Sequence, residues 1–204
     1  MRFSRLSLAV VIALLTLLPS SGYSRVSAQD LDEAQSTCNL QTLADWAWGD
    51  SGRLEQLSRE LTPDCFNQLI EAYSYETTED TVYPEANFSA AAAATWTHVH
   101  SVDYWNVGIK EYSVLVEKGW GGDGSSTVWL NYMAHWVNTY VQQWTIDGAN
   151  VTHNYNIYPS IHKTNVIYYM TRDYWIPDLE THRSTQNTLC VGANGWWSYN
   201  FDCS

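Results

Sequence analysis

Residues 128–136 read Val-Trp-Leu-Asn-Tyr-Met-Ala-His-Trp, and their apolar side chains recur at every second position. When apolar residues repeat every two positions in an extended strand, their side chains all lie on the same face. We predict that the core face carries the even-numbered side chains, which are Val128, Leu130, Tyr132, Ala134 and Trp136. Alternation continues to Ile146, which is long for one strand, so we expect a β-bulge near Asn138 or strong twist.

The same period extends on both sides of this segment, from Thr95 to Met170. Upstream, one strand face carries Trp96, His98, His100, Val102 and Tyr104. The turn-forming residues of segment 147–150 predict a hairpin tip there. We predict an acidic loop at 75–89, in which calcium binding is disfavoured because the carboxylate spacing matches no known site. We also predict irregular structure at 171–189.

The segment before the strands has a helical period. Leu40, Leu43, Ala44 and Ala47 follow i, i+3, i+4, i+7 spacing, and Ser36 or Thr37 is the expected N-cap. Two further helices are predicted after Asp50 and after Thr62-Pro63, because Thr caps a helix and Pro is tolerated at its first position. Residues 29–36 are predicted to be a loose lead-in.

Helices followed by a meander of strands indicate the α+β class. We expect a disulfide-linked N-terminal helical unit followed by a curved antiparallel sheet of about five or six strands. A cone of the NTF2-like type is one arrangement, on topology alone, and a closed β-barrel or a sandwich with a helical cap is the main alternative. Residues 29–204 are expected to form a single domain.

Residues 1–28 have the pattern of a secretory signal peptide. Arg2 and Arg5 precede an apolar run from Leu6 to Leu18, and Val26-Ser27-Ala28 offers small residues before Gln29. The run is too short to span a bilayer comfortably. We therefore expect a secreted, extracellular or periplasmic protein with no membrane association after the signal is removed.

Four cysteines follow that segment: Cys38, Cys65, Cys190 and Cys203. An even number in an exported chain indicates two disulfides with three alternative pairings. We predict the sequence-local pairing, Cys38 with Cys65 and Cys190 with Cys203. Zinc ligation is disfavoured because no two cysteines have C-x-x-C spacing.

The composition is acidic and rich in aromatic residues that carry a polar group. Beyond residue 28, seven Lys and Arg face 22 Asp and Glu, a net charge of about −15. Nucleic acid is therefore not an expected partner, because its phosphates are bound by basic residues. The whole chain has 11 Trp and 14 Tyr but only 4 Phe, and such polar aromatics suit half-buried and interface positions.

Two groups of residues are candidate sites. His98-x-His100 places two imidazoles on one strand face, and with His135 or His153 they would form a zinc site with an open position. Core or hydrogen-bonded histidines are the favoured alternative, so no cofactor is expected. The second group is the aromatic tail inside the second disulfide loop, where Trp196 and Trp197 must point to opposite faces.

An exposed indole beside amide and hydroxyl groups is suited to stacking on a sugar ring. We therefore select Trp196, Trp197 and Tyr199 as ligand-binding candidates, with Trp120 in its glycine-rich loop as a weaker one. The leading hypothesis is a secreted, non-enzymatic binding protein for a small-molecule or glycan ligand. The alternatives are a zinc-dependent hydrolase or lyase that uses the strand histidines, and a structural extracellular protein.

Overall fold

The computed structural model describes residues 26–84, 94–141, 143–173 and 180–204. Within them the chain forms four helices and then eight strands. The helices are α1 (Ala28–Thr37), α2 (Leu40–Ala47), α3 (Ser51–Glu60) and α4 (Pro63–Tyr73). The predicted signal peptide lies largely outside these residues, so its assignment remains a prediction.

Side-chain caps explain where the helices of this helical unit (28–73) begin. Asp50 accepts from the backbone of the first turn of α3, and Thr62 accepts from the Cys65 amide at the start of α4, as predicted. Two predictions were wrong. The lead-in is α1, and the cap of α2 is Asn39 rather than Ser36 or Thr37. The acidic composition of 29–36 hid a helix that begins with a capping box.

The strands form two antiparallel four-stranded meanders, which we call sheet 1 and sheet 2. Sheet 1 contains β1 (Ser74–Pro84), β2 (Ala94–Asn106), β3 (Ile109–Gly122) and β4 (Val128–Thr139). Sheet 2 contains β5 (Trp144–Tyr158), β6 (Ile161–Asp173), β7 (Glu180–Gly192) and β8 (Trp197–Ser198). The α+β class is confirmed, with eight strands divided between two sheets.

Three segments differ from the sequence-based predictions. Residues 75–84 of the expected acidic loop pair with β2 along its length, while 85–89 lie outside the described residues. Much of 171–189 belongs to β6 and β7. The expected hairpin tip at 147–150 is strand, with Asp147 as an unpaired bulge residue. Polar side chains favoured loops in these segments, but cross-strand partners outweighed that local preference.

The face of β4 changes along the strand because of a β-bulge. Trp120 pairs with Leu130 but Gly119 pairs with Tyr132, so Asn131 is the extra residue. Val128 is therefore buried as predicted, and the half-buried Leu130 shares the inward face with its buried partner Trp120, whereas Tyr132 turns outward and is exposed. The strand also ends at Thr139, and the chain crosses to sheet 2 instead of bulging near Asn138. One inserted residue inverts every later position.

The turn between β2 and β3 attaches sheet 1 to the helical unit. Val107 and Gly108 both have positive φ, the signature of a two-residue type I′ hairpin. The Val107 side chain is fully buried in the helical core. Its amide donates to the Tyr73 carbonyl, and its carbonyl accepts from the Gly49 amide. A β-branched residue at positive φ is strained, and these contacts on three sides hold it there.

The two sheets pack face to face around a second core, and we call this part the β-sandwich. Its apolar centre comes from both sheets and includes Tyr112, Val114 and Val116 opposite Val166, Met170 and Leu189. Both predicted disulfides are confirmed: Cys38–Cys65 links the C-terminal cap of α1 to α4, and Cys190–Cys203 closes the C-terminal segment. Two disulfides are compatible with a non-cytoplasmic protein. Among the described helices, none has the length and apolar character to cross a membrane.

Candidate functional site

Two histidines and an aspartate converge at the edge of the β-sandwich. His98 and His100 lie on the inward face of β2, and Asp80 on β1 is paired in register with His100. Oδ1 of Asp80 lies 2.7 Å from Nε2 of His98 and 2.7 Å from Nδ1 of His100. The ligand-type atoms of all three residues lie within 4.8 Å of one another. We call this group the histidine–aspartate site.

The site is enclosed on one side and open on the other. The two histidine side chains are almost fully buried, whereas the side chain of Asp80 remains 21% exposed. Burial lowers the pKa of His98, and the hydrogen bond with Asp80 opposes that shift. Oδ1 of the Asp80 carboxylate accepts a hydrogen bond from each ring nitrogen that faces it. If these nitrogens lost their protons, two imidazole nitrogens and one carboxylate oxygen would be available to a cation. These are the ligand types of zinc and other divalent transition metals.

The C-terminal segment covers these histidines. The ring of Trp197 meets the His98 ring edge-on at a centroid distance of 4.3 Å. The ring of Tyr199 stacks nearly parallel on His100 at 5.3 Å. Both aromatic residues belong to the segment 190–203 closed by the second disulfide, which we call the terminal loop. Two members of the aromatic candidate group, Trp197 and Tyr199, therefore lie at the same site as the two histidines, although they are far apart in the sequence.

Behind His98, the sandwich interior contains a buried lysine. Lys118 pairs with His98 across the strands, and its ammonium donates to the carbonyls of His162 and Leu189 in sheet 2. Burial lowers the pKa of Lys118 well below its ordinary value. Burial also lowers the pKa of His162 to about 4, with a smaller contribution from Lys118. Nδ1 of His162 is buried without a hydrogen-bond partner in the described structure.

The other two candidate metal ligands lie elsewhere. Nδ1 of His135 is 2.6 Å from the hydroxyl of Tyr168, where it joins the two sheets. His153 on β5 packs against Tyr155 and Phe201. Among the described residues, neither histidine belongs to a group of three ligand-type side chains. Among the described residues the candidate three-histidine arrangement is therefore not formed, and Asp80 is the third member of the group.

The indole of Trp196 lines a surface cleft of about 340 Å³. It lies over the backbone of Gly192, where a Cβ added to the glycine would be 3.2 Å from Cε3 of the indole. Polar groups at the cleft come from Asn194, Ser125 and Ser160. We call this feature the Trp196 cleft. Trp196 is exposed while Trp197 packs inward, as expected for neighbours on opposite faces.

Trp120 does not offer a surface for ligand stacking. Its side chain is fully buried, its ring stacks on Trp96, and its Nε1 donates to the carbonyl of Gly192. The neighbouring glycines leave space for two other aromatic rings, because Trp129 lies over Gly121 and Tyr132 lies over Gly119. The glycine-rich sequence therefore marks close packing on the sheet.

Sequence reasoning missed Asp80, because it was assigned to an acidic loop with no partner. A local signal was available, because segment 75–83 is rich in β-branched and aromatic residues that favour strands: Tyr75, Thr77, Thr78, Thr81, Val82 and Tyr83. A second polar group was also missed. Glu111 is fully buried and accepts from Arg172 and from Nε1 of Trp144.

No family model, curated protein or solved structure matches this chain.

Proposed function

We propose that this chain is a secreted binding protein that recognises a polar ligand, with a neutral carbohydrate as the favoured class, through the Trp196 cleft. The observation that carries the proposal is an exposed indole fixed over a glycine backbone beside an amide and two hydroxyl side chains. Sugars present an apolar C–H face for stacking and hydroxyls for hydrogen bonds. Such a mixed lining is what small-molecule sites use for orientation and specificity.

The cleft is rigid, which favours binding. The amide of Trp196 donates to Oδ1 of Asn194, and the amide of Gly192 donates to the carbonyl of Trp196. The Cys190–Cys203 disulfide closes the loop, and Cys203 lines the cleft. Because the loop is already ordered in the folded protein, it loses less conformational entropy when a ligand binds.

The charge of the chain narrows the ligand class. With an excess of acidic residues over the whole chain, the surface repels sulfated and uronic acid polymers at long range. Neutral glycans are not repelled in this way, because they carry no charge. The signal-like segment 1–28 and the two disulfides support an extracellular setting in which such glycans are found.

A glycan array with a matched pair of variants tests the proposal. Trp196→Ala should weaken binding about fivefold or more, because loss of one stacking contact costs about 1 kcal/mol or more. Trp129→Ala is the control, since Trp129 is equally exposed, 37% against 36%, and also lies over a glycine, but on sheet 1 away from the cleft. Both variants should keep nearly wild-type thermal stability.

Equal loss of binding in the two variants would contradict a ligand site at the Trp196 cleft. Absence of binding by the wild-type protein to any arrayed glycan would refute the carbohydrate assignment. Unfolding of Trp196→Ala would show that the indole has a structural role. In that case Asn194→Ala, which removes the amide and keeps the indole, should still lower binding if the cleft is the site.

A further inference from the structure

We propose that Asp80, His98 and His100 form a binding site for a single divalent transition-metal ion, with Zn²⁺ the best match to the ligand types. This site is separate from the Trp196 cleft, and it does not depend on the proposed carbohydrate binding. The first argument is convergence. Two ring nitrogens on one strand point at a single atom on the neighbouring strand, each at 2.7 Å.

The backbone explains why these three side chains meet. His98 and His100 are two residues apart, so the pleat of β2 places both on one face. Asp80 reaches the same face from β1, because it is the register partner of His100. Sites built from paired strands hold their ligands more accurately than sites on loops. The arrangement therefore does not rely on a flexible segment.

Aromatic contacts fix the orientation of both rings. Trp197 contacts His98 edge-on and Tyr199 stacks on His100, so the terminal loop restrains both imidazoles. The side chain of the neighbouring Lys118 donates to two carbonyls of sheet 2, so its nitrogen does not occupy the ligand atoms of Asp80, His98 or His100. Restrained ligands reduce the ordering cost of metal binding.

The exposure pattern provides an entrance for the ion. Asp80 is the partly exposed member, while the histidines are buried. On metal binding, the two ring nitrogens that now donate to Asp80 would each give up that proton, to the other nitrogen of the ring or to solvent, and rotation of the Asp80 side chain would allow all three groups to contact one ion. Three protein ligands leave a fourth position for water or a substrate group, as in zinc sites that perform chemistry.

Metal titration of the chelator-treated protein tests the site directly. Isothermal titration with Zn²⁺ should give one equivalent per chain, and Co²⁺ should produce visible absorption bands typical of four- or five-coordination. Asp80→Asn and His100→Gln should each weaken Zn²⁺ binding by at least the 10- to 100-fold that loss of an outer-shell partner typically causes. Asp80→Asn preserves shape, and circular dichroism would verify its fold.

His135→Gln and His153→Gln are matched controls, because both residues are half-buried strand histidines that lie outside the group. They should bind Zn²⁺ like the wild type. The proposal is overturned if the wild-type protein takes up no stoichiometric metal, or if Asp80→Asn and His100→Gln both bind as tightly as the controls. Glycan binding by the metal-free protein, measured in parallel, separates this result from that of the Trp196 cleft.

Discussion

Inside the helical unit the buried side chains are almost all apolar, whereas the two sheets enclose lysine, arginine, glutamate and histidine. Leu43, Leu57, Phe66 and Leu69 form a continuous interior between the helices. In the sandwich, by contrast, polar groups join the sheets: Nδ2 of Asn187, for example, donates to the carbonyls of His100 and Val114.

The difference shows that buried side chains can be stabilised in two ways, by removal of apolar surface from water or by hydrogen bonds with specific partners. Apolar side chains are stabilised by leaving water, which needs no particular partner. Each buried polar group needs a hydrogen-bond partner at the right place, because an unpaired group loses its hydration without compensation. The sandwich should therefore be the more sensitive region to loss of a single partner, and the helical unit the more tolerant of exchange between similar apolar residues.

Separation of the Glu111–Arg172 pair should produce the largest effect. Arg172→Met leaves the fully buried Glu111 without its cation and should lower the free energy of unfolding by about 3–5 kcal/mol. Urea denaturation would measure the loss. The double variant Glu111→Gln with Arg172→Met should recover a substantial part of it, because no uncompensated charge remains. If Arg172→Met lowered the free energy of unfolding by less than about 1 kcal/mol, the buried pair would not have the role described here.

Truncation in the helical core should have a smaller, purely apolar effect. Leu57 is fully buried, so Leu57→Ala should cost about 3 kcal/mol through lost burial and a residual cavity. Leu57→Met should cost less than about 1.5 kcal/mol, since volume is nearly conserved. If Leu57→Met lowered the free energy of unfolding as much as Leu57→Ala, the helical core would not tolerate exchange between similar apolar residues. The contrast with the sandwich would then be wrong.

The pH dependence of stability should reveal His162 in the sandwich. Its pKa is lowered to about 4 by burial, so the folded protein binds the proton less readily than the unfolded chain, where the ordinary value is 6.5. His162 therefore does not reduce stability above pH 6.5, and stability falls as the pH drops from 6.5 toward 4, by about 3 kcal/mol at about 1.4 kcal/mol per pKa unit.

Urea denaturation at a series of pH values would measure this loss. His162→Gln should have a flatter profile between pH 6.5 and 4, although the lowered pKa of His98 leaves part of the slope. His153→Gln is the control and should keep the wild-type profile. An unchanged slope in His162→Gln would show that the proton is taken up elsewhere.

The smallest effect should come from Leu130, just before the bulge in β4. Because its side chain is only half-buried, Leu130→Ala should cost about 1 kcal/mol, well below the loss expected for Leu57→Ala. Parallel denaturation of the two variants gives the comparison. Equal losses would contradict the half-buried position of Leu130 and would mean that it is packed as deeply as Leu57.

Much of the helical unit was predictable from the sequence, because its signals are local. Capping residues such as Asp50 and Thr62 act on amides within three positions, and the apolar stripe repeats within two turns. Both disulfides also followed from proximity along the chain. The candidate site was predictable only in part. The His98-x-His100 spacing indicated two side chains on one face, whereas the pairing of Asp80 with His100 depends on cross-strand register, which local sequence does not specify.

The sequence alone determined the α+β class, the strand face of β2 and the disulfide pairing, since each depends on short-range spacing. Only the tertiary structure decided that Asp80 joins His98 and His100, that the terminal loop covers them, and that Asn131 inverts the face of β4. These features depend on cross-strand register and on contacts between residues up to about a hundred positions apart. Periodicity carries no information at that range, because any of several registers would satisfy the same alternation.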